Sequence, residues 1–512
     1  MPPSRAYVPD LLLAAGQVRE RTALVVQGGR VTSIGAVPPG AEQIRLAGAA
    51  VLPGLVSAHG HAFQRALRGR AERRSARGSD FWSWRETMYT VASRLGPEDL
   101  QAIARLAFLE LIRSGATAAG EFHYLHHDPE GRPYADRDEL ARRVIAAARE
   151  VGLRVTLLRA AYARPGHRRP VEAAHRRFVE ASPDETVSAV ERLAAAHRDD
   201  PLVRFGLAPH SARACPAEWI AALAREAERR ALPLHVHVSE QPAEVEAVRA
   251  EHGVSPVALL ARCGALGPRT TAVHAIHVDA DDIEALGAAR ACVCACPLTE
   301  RDLGDGVVPA DRLLAAGAGM ALGVDSFAEV DLLAEARALE GHLRLVRLER
   351  GVLAGPAATA PSCRSAAAAA RNARQPGGLA QRRKAAGLLC DLASLREKPR
   401  AGRTGMSSTP TGLSERLYAF ASSGGMAALG WQGGALAPGE PADFVVVSLD
   451  DPSIAGAAGD DLVSAVVSSM ARTAVRDVYV GGEPVVREGR AVRVDEARLV
   501  AEAVSSLRRL RV

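Results

Sequence analysis

Lysine is almost missing from this chain: Lys384 and Lys398 are its only two, which leaves 62 of the 64 basic side chains to arginine. The arginines are spread along the sequence rather than gathered in a stripe, and the formal net charge is only +5 over 512 residues. A nucleic-acid partner is therefore not expected, since such binding rests on a concentrated basic surface. Long charge-free apolar runs are missing as well, so no segment is expected to span a bilayer. Met1-Pro2-Pro3-Ser4-Arg5, followed by the interrupted Leu11-Leu12-Leu13-Ala14-Ala15 run, lacks the form of a signal peptide, and a cytoplasmic location is expected. Cysteine is sparse and odd in number, at seven. Cys292, Cys294 and Cys296 alternate in one apolar segment, which suits buried, reduced thiols rather than a disulfide framework. Their spacing is wrong for a zinc site built from the three.

What is present alternates strand-like and helix-like patterns. Strands are predicted at 51–58, 117–122, 154–162, 203–209, 233–239, 271–276, 291–296 and 319–324, the eight that a parallel (β/α)8 barrel of TIM type needs. Helices are predicted between them, at 97–114, 137–151, 185–197, 216–230 and 308–316. Two β-rich pieces flank this core, each with a Gly-Gly turn, at Gly28-Gly29 and Gly481-Gly482, and are expected to pair into a small β-sandwich made from both chain ends. The expected organisation is a β piece at 1–48, the catalytic barrel at 49–354, a final barrel helix at 413–433, a second β piece at 434–490 and a C-terminal helix at 491–512. Residues 355–412, rich in Ala, Arg, Gly, Pro and Ser and holding both lysines, interrupt this plan. They read as a disordered insertion, a helical lid or a stretch of misread frame.

In a parallel barrel the chemistry gathers at the carboxyl ends of the strands. His59 and His61 follow the first strand, and alternation puts both imidazoles on one side. His210 ends the fourth, His237 and Glu240 the fifth, His274 the sixth and Asp325 the eighth. Two histidines from one strand, a third from another and a carboxylate from a fourth form a nitrogen and oxygen set for one zinc, with iron or manganese as other occupants. The expected ligands are His59, His61, His237 and Asp325. His235 alternates with His237 and is read as a packing residue, His277 as a surface or supporting group. Asp325 has a second reading as a helix N-cap, and His123, His126 and His127 have one as a second metal cluster.

Several stretches carry a family resemblance. Pro53-Gly54-Leu55-Val56-Ser57-Ala58-His59-Gly60-His61, His237 with Glu240, His274 and Val324-Asp325-Ser326 resemble the amidohydrolase superfamily, in its branch of mononuclear zinc deaminases. Within it, His61-Ala62-Phe63-Gln64-Arg65-Ala66-Leu67-Arg68-Gly69, Phe81-Trp82-Ser83-Trp84-Arg85, Gly120-Glu121-Phe122-His123-Tyr124-Leu125-His126 and Ala208-Pro209-His210-Ser211-Ala212-Arg213 are similar to the formimidoylglutamate deiminases, over about residues 8–350 and 413–490. The resemblance implies hydrolysis of N-formimino-L-glutamate to N-formyl-L-glutamate and ammonia in histidine breakdown, by a homodimer. Many amidohydrolases bridge two metals with a carboxylated lysine. Residues 1–383 contain no lysine, which excludes such a centre unless the insertion reaches the core.

A zinc ion can bring the pKa of water from ~15.7 towards ~7, so hydroxide is the expected nucleophile. Glu240 is assigned the general acid/base role, Asp325 a share in accepting the proton, and His274 the stabilisation of developing charge. For an anionic substrate with two carboxylates, Gln64, Arg85, Tyr124, His210 and Arg213 supply cationic forks and neutral donors. Glu300-Arg301-Asp302-Leu303-Gly304-Asp305-Gly306 is a candidate for the same mouth. Alternative readings are a zinc deaminase of a nucleobase or nucleoside ring, a non-catalytic scaffold that keeps the fold, and an inactive product.

Overall fold

The structure, a computed structural model, describes residues 3–70, 81–355 and 412–510. Apart from Gly355 and Gly412, the segment 355–412 singled out above lies outside the described residues, and so do both lysines. Five strands come from the N-terminal end: β1 (Arg5–Ala14), β2 (Gln17–Glu20), β3 (Ala23–Gln27), β4 (Arg30–Gly35) and β5 (Glu42–Pro53). Eight follow: β6 (Leu55–Ser57), β7 (Ala116–His123), β8 (Arg154–Ala161), β9 (Val203–Pro209), β10 (Leu234–Val238), β11 (Thr270–His274), β12 (Cys292–Ala295) and β13 (Gly319–Leu322). The C-terminal part adds β14 (Phe444–Ser448), β15 (Val475–Val480), β16 (Glu483–Arg487) and β17 (Arg490–Ala491).

β6 to β13 lie side by side in chain order, each parallel to the next, with helices between them: a (β/α)8 barrel. The seam between β6 and β13 is closed by backbone bonds just beyond both strands. Ala58 N donates to Leu322 O (2.8 Å), Asp325 N to His59 O (3.2 Å) and His61 N to Asp325 O (2.9 Å). Gly323 permits this approach, because a Cβ there would stand 2.7 Å from His59 O. The predicted helices form with ends shifted by up to two residues. In Pro97–Arg113, Leu100, Ile103, Leu106, Ala107, Leu111 and Ile112 are buried, the stripe expected from their spacing.

The remaining nine strands form one sheet from both chain ends, in the order β17-β16-β15-β14-β5-β1-β3-β4, with β2 paired to β1. It curls until Arg30 bridges Pro441, and Tyr7, Phe444 and Tyr479 pack ring against ring inside it.

One expectation changes. Residues 51–58 do not form a single barrel strand. Val51, Leu52 and Pro53 belong to β5 and pair antiparallel with Val446, Val445 and Phe444, while Leu55–Ser57 alone enter the barrel. The chain crosses from one sheet to the other at Gly54, where a Cβ would lie 2.3 Å from the Thr117 side chain. Both sheets bury this stretch on both faces, so its hydrophobicity is unbroken although its pairing changes.

Candidate metal and substrate site

The closed seam brings three side chains together. His59 and His61 leave β6 beside Asp325, which leaves β13 with a left-handed φ of 44°. That conformation is costly without glycine, and it sets the Asp325 carboxylate 3.5 Å from His59 Nε2 and 3.4 Å from His61 Nε2. The next helix begins at Leu332 and is capped by Asp331, so Asp325 does not serve as its N-cap. His237 approaches from β10 on the far side, its Nε2 3.1 Å from that of His59.

The donor set fits a single divalent cation. His61 Nδ1 faces Phe122 O (2.9 Å) and His237 Nδ1 faces His210 O (3.0 Å), so both Nδ1 atoms must donate and both Nε2 lone pairs turn inward. The inward Nε2 of His237 lies 3.1 Å from Nε2 of His59, whose Nδ1 has no hydrogen-bond partner, so either a proton on His59 Nε2 or a cation lies between the two nitrogens. Burial draws the His59 pKa down to about 3, so its ring is neutral and keeps one nitrogen lone pair free for a cation. The spacings of 3.1, 3.4 and 3.5 Å also match the edges of about 3.3 Å that a tetrahedron of zinc bonds requires. The four donors His59, His61, His237 and Asp325 all lie within 4.8 Å of one another.

Beside this cluster stand His274 and Glu240. β10 ends at Val238, and Ser239, with a φ of 53°, turns the chain so that Glu240 faces back. Its Oε1 is 3.6 Å from His274 Nε2, which is 3.9 Å from Asp325 Oδ2. Burial, with Asp325 and Glu244 nearby, raises the Glu240 carboxyl to about 7 against the pull of His274. Burial alone would lower the His274 pKa, but Glu240, Glu300 and Asp325 hold it well above the usual imidazole value.

A cavity opens onto these groups. Gln64, Arg85, Tyr124, His210 and Arg213, scattered from position 64 to 213 in the sequence, all line it. Gln64 is 2% exposed; its amide donates to Tyr124 OH (2.9 Å) and its carbonyl oxygen has no hydrogen-bond partner. Arg213 donates to Pro165 O (3.0 Å) and makes no ion pair among the described residues. Arg85 rises from the helix Phe81–Ala92 and stacks 5.6 Å over the Tyr89 ring. His210 packs edge-on between Tyr124 and Tyr162. Burial, followed by the charge of Arg213, keeps it neutral, with a pKa well below the usual value.

Other sequence candidates fall elsewhere. Of Glu300 to Gly306, only Leu303 reaches the cavity; Glu300 is buried behind His274, and Asp305 receives the Gln241 amide. His235 lies on the same strand face as His237 but deeper in the barrel and is a packing residue, its Nε2 donating to Ala428 O (2.8 Å), and His277 donates to Asp305 O (2.8 Å). His126 Nε2 is taken up by Ala160 O (2.8 Å) and the Arg159 guanidinium, and His127 gives its Nε2 proton to Val179 O (3.0 Å). With His123 they form no metal-type cluster among the described residues. The sequence reading missed Tyr162, Tyr89 and Trp84, which also line the cavity. Tyr162 was within reach, because it stands one residue beyond the end of β8. Glu121, whose two oxygens accept from Ala62 N (3.2 and 3.0 Å), fixes the turn that follows His61.

Comparison with known proteins agrees with this architecture. The sequence profile of the amidohydrolase family matches residues 50–363 and 391–485. A formimidoylglutamate deiminase of Pseudomonas aeruginosa is 35% identical over 457 residues, covering 88% of this chain and 87% of the relative. An 8-oxoguanine deaminase of the same organism is 32% identical over 351 residues, covering 65% of this chain and 74% of the relative. Among solved structures, an amidohydrolase from Brucella melitensis superposes with a TM-score of 0.81 at 28% identity, with 99% of each chain covered. With its closed parallel barrel and its histidine and aspartate cluster at the strand ends, the chain belongs to the amidohydrolase family.

Proposed function

We propose that this chain is a metal-dependent deiminase of N-formimino-L-glutamate. Water adds at the formimino carbon, the C–N bond to the terminal nitrogen breaks, and N-formyl-L-glutamate and ammonia leave. The observation that carries the reading is the cavity: Arg85 and Arg213 share its wall with neutral donors and open directly onto the ligand cluster. A substrate with a carboxylate at each end and an amidine-like head needs such a wall, because guanidinium forks bind carboxylates in two-point fashion. The relative with 35% identity carries the same substrate in its name.

His59, His61, His237 and Asp325 would hold the metal, which we take to be zinc. Such an ion supplies Lewis acidity that makes hydroxide available near neutral pH. Glu240 takes the proton from the attacking water and passes it to the departing nitrogen, which would otherwise have to leave as an anion. A carboxyl with a pKa of about 7 is suited to both halves of that transfer. His274, held cationic by its three carboxyl neighbours, stabilises negative charge at the reacting centre. Gln64 and Tyr124 orient the substrate between these groups and the arginines.

A second reading is favoured by the aromatic wall. Trp84, Tyr89 and Tyr162 could stack on a planar ring, and a relative of 32% identity is an 8-oxoguanine deaminase. Ammonia release from N-formimino-L-glutamate, measured beside 8-oxoguanine and adenosine with the metal content of the protein known, separates the two. Turnover on a ring and none on the amidine would overturn the proposal.

A further inference from the structure

Glu300 does not line the cavity and enters the mechanism above only as one of three carboxyls around His274, yet it is one of the most enclosed carboxyls among the described residues, 1% exposed. Its Oε1 accepts from Cys296 N (2.9 Å) and faces His274 Nδ1 (3.2 Å). Among the described residues its only ion-pair partner is His274. The short helix Pro297–Leu303 that carries it is pinned in turn, since Leu298 N donates to Glu335 Oε2 (2.9 Å) from the helix Leu332–Arg347. A buried carboxylate with no arginine beside it is expensive to keep. His274 and Ala275 add to that cost, both holding left-handed backbone at φ 71° and 52°, a strain that persists only where the surroundings over-determine it.

We propose that Glu300 is a positioning residue for the reaction: by accepting the Nδ1 proton of His274 it fixes Nε2 as the nitrogen that meets Glu240 and Asp325. An imidazole free to rotate by half a turn would present carbon or the wrong nitrogen to the reacting centre. The acceptor-only carboxylate forbids that, and the Cys296 amide keeps the accepting oxygen in place. The inference rests on the reading that His274 acts on the substrate. A rival exists in the same residues, because His274, Cys296 and Glu300 offer donors within 4.8 Å of one another, as for a second metal ion. The geometry favours positioning, since Oε1 is already engaged by two N–H groups.

The test uses the full metal-loaded chain with Glu300→Ala, Glu300→Gln and His274→Asn, followed by ammonia release, metal content, thermal unfolding and ¹⁵N NMR of the imidazoles. Glu300→Ala is expected to lower kcat by about 10- to 100-fold, as loss of a supporting shell does, with KM within about threefold of wild type and the metal retained. Glu300→Gln keeps an oxygen at the same point and should recover most of the rate. The signal lost in His274→Asn should show a protonated Nδ1 in wild type and should change in Glu300→Ala. An unprotonated Nδ1, a second ion per chain that leaves with Glu300, or a loss that Gln does not rescue and that follows unfolding would overturn the proposal. If His274→Asn keeps full activity, the reading of His274 itself fails. If it loses activity while Glu300→Ala does not, only the present inference fails. If the wild-type protein releases no ammonia from the formimino substrate, the substrate reading fails and the NMR signature still decides.

Discussion

Two groups of buried histidines stand at strand ends of the same barrel and behave differently. In one, His59 and His237 bring their Nε2 atoms to 3.1 Å, with the Asp325 carboxylate alongside His59 and His61. In the other, His126 and His127 direct their Nε2 atoms to backbone carbonyls rather than to a shared point. There the local charge is Arg159, which contacts His126 and is paired with Glu180 at 2.7 Å. A cation built into the protein already occupies the electrostatic role that a metal would fill. Histidine count does not separate the two groups; the direction of the lone pairs and the sign of the neighbouring charge do.

The largest effect should come from crossing that boundary. His237→Ala is expected to abolish metal binding and lower kcat/KM by more than about 10³-fold, since the ion supplies several kcal/mol of transition-state stabilisation. His126→Ala should retain the metal, and elemental analysis of both proteins checks the contrast. Next, Arg159→Met should leave Glu180 buried without its arginine partner, held only by the Thr186 hydroxyl, and cost about 3–5 kcal/mol of folding stability. Denaturant unfolding would measure it, with metal content unchanged. Glu240→Gln should lower kcat by ~100-fold or more while leaving metal content and unfolding in place; unchanged activity would remove Glu240 from the mechanism. Arg213→Met is expected to raise KM by roughly 10- to 100-fold, the value of a charged hydrogen bond, whereas Arg192→Met, beside the second histidine group, should not move it.

The smallest effect concerns a carboxyl that lacks what Glu180 has. Asp305 makes no ion pair among the described residues, and burial, then the nearby Glu240, raises its pKa from 3.8 to about 9. A pKa raised on folding means that the native state binds the proton more tightly. The stabilisation is complete below about pH 3.8 and is lost as the pH climbs through 9. The melting temperature should therefore fall between pH 5 and 9, and Asp305→Asn should flatten that fall. Equal slopes for the two proteins would show that Asp305 is not held neutral.

How much of this was legible depended on where a residue stood. His237 and Asp325 follow apolar runs of strand length, so periodicity alone put them at the functional end of the barrel. Gln64, Arg85, Tyr124 and Arg213 were found through family likeness, because nothing in their local pattern distinguishes them from surface residues, whereas the strand that His210 ends had already marked it. Glu300 was misplaced for a geometric reason: it points back from the first turn of a helix, beneath the strand end rather than into the mouth. The break at Gly54 was hidden because two sheets bury one unbroken apolar run, and hydrophobicity records burial without recording the partner.

That break has a consequence for how the molecule comes into being. β5 leads within a few residues to His59 and His61, and its sheet neighbour on one side is β14, near the other end of the chain. During synthesis the stretch ahead of those histidines must wait, half clasped, until residues 444–448 have emerged. The stretch that leads into the centre is thus held by strands from both ends of the chain, and a barrel cut free of those strands is expected not to assemble it.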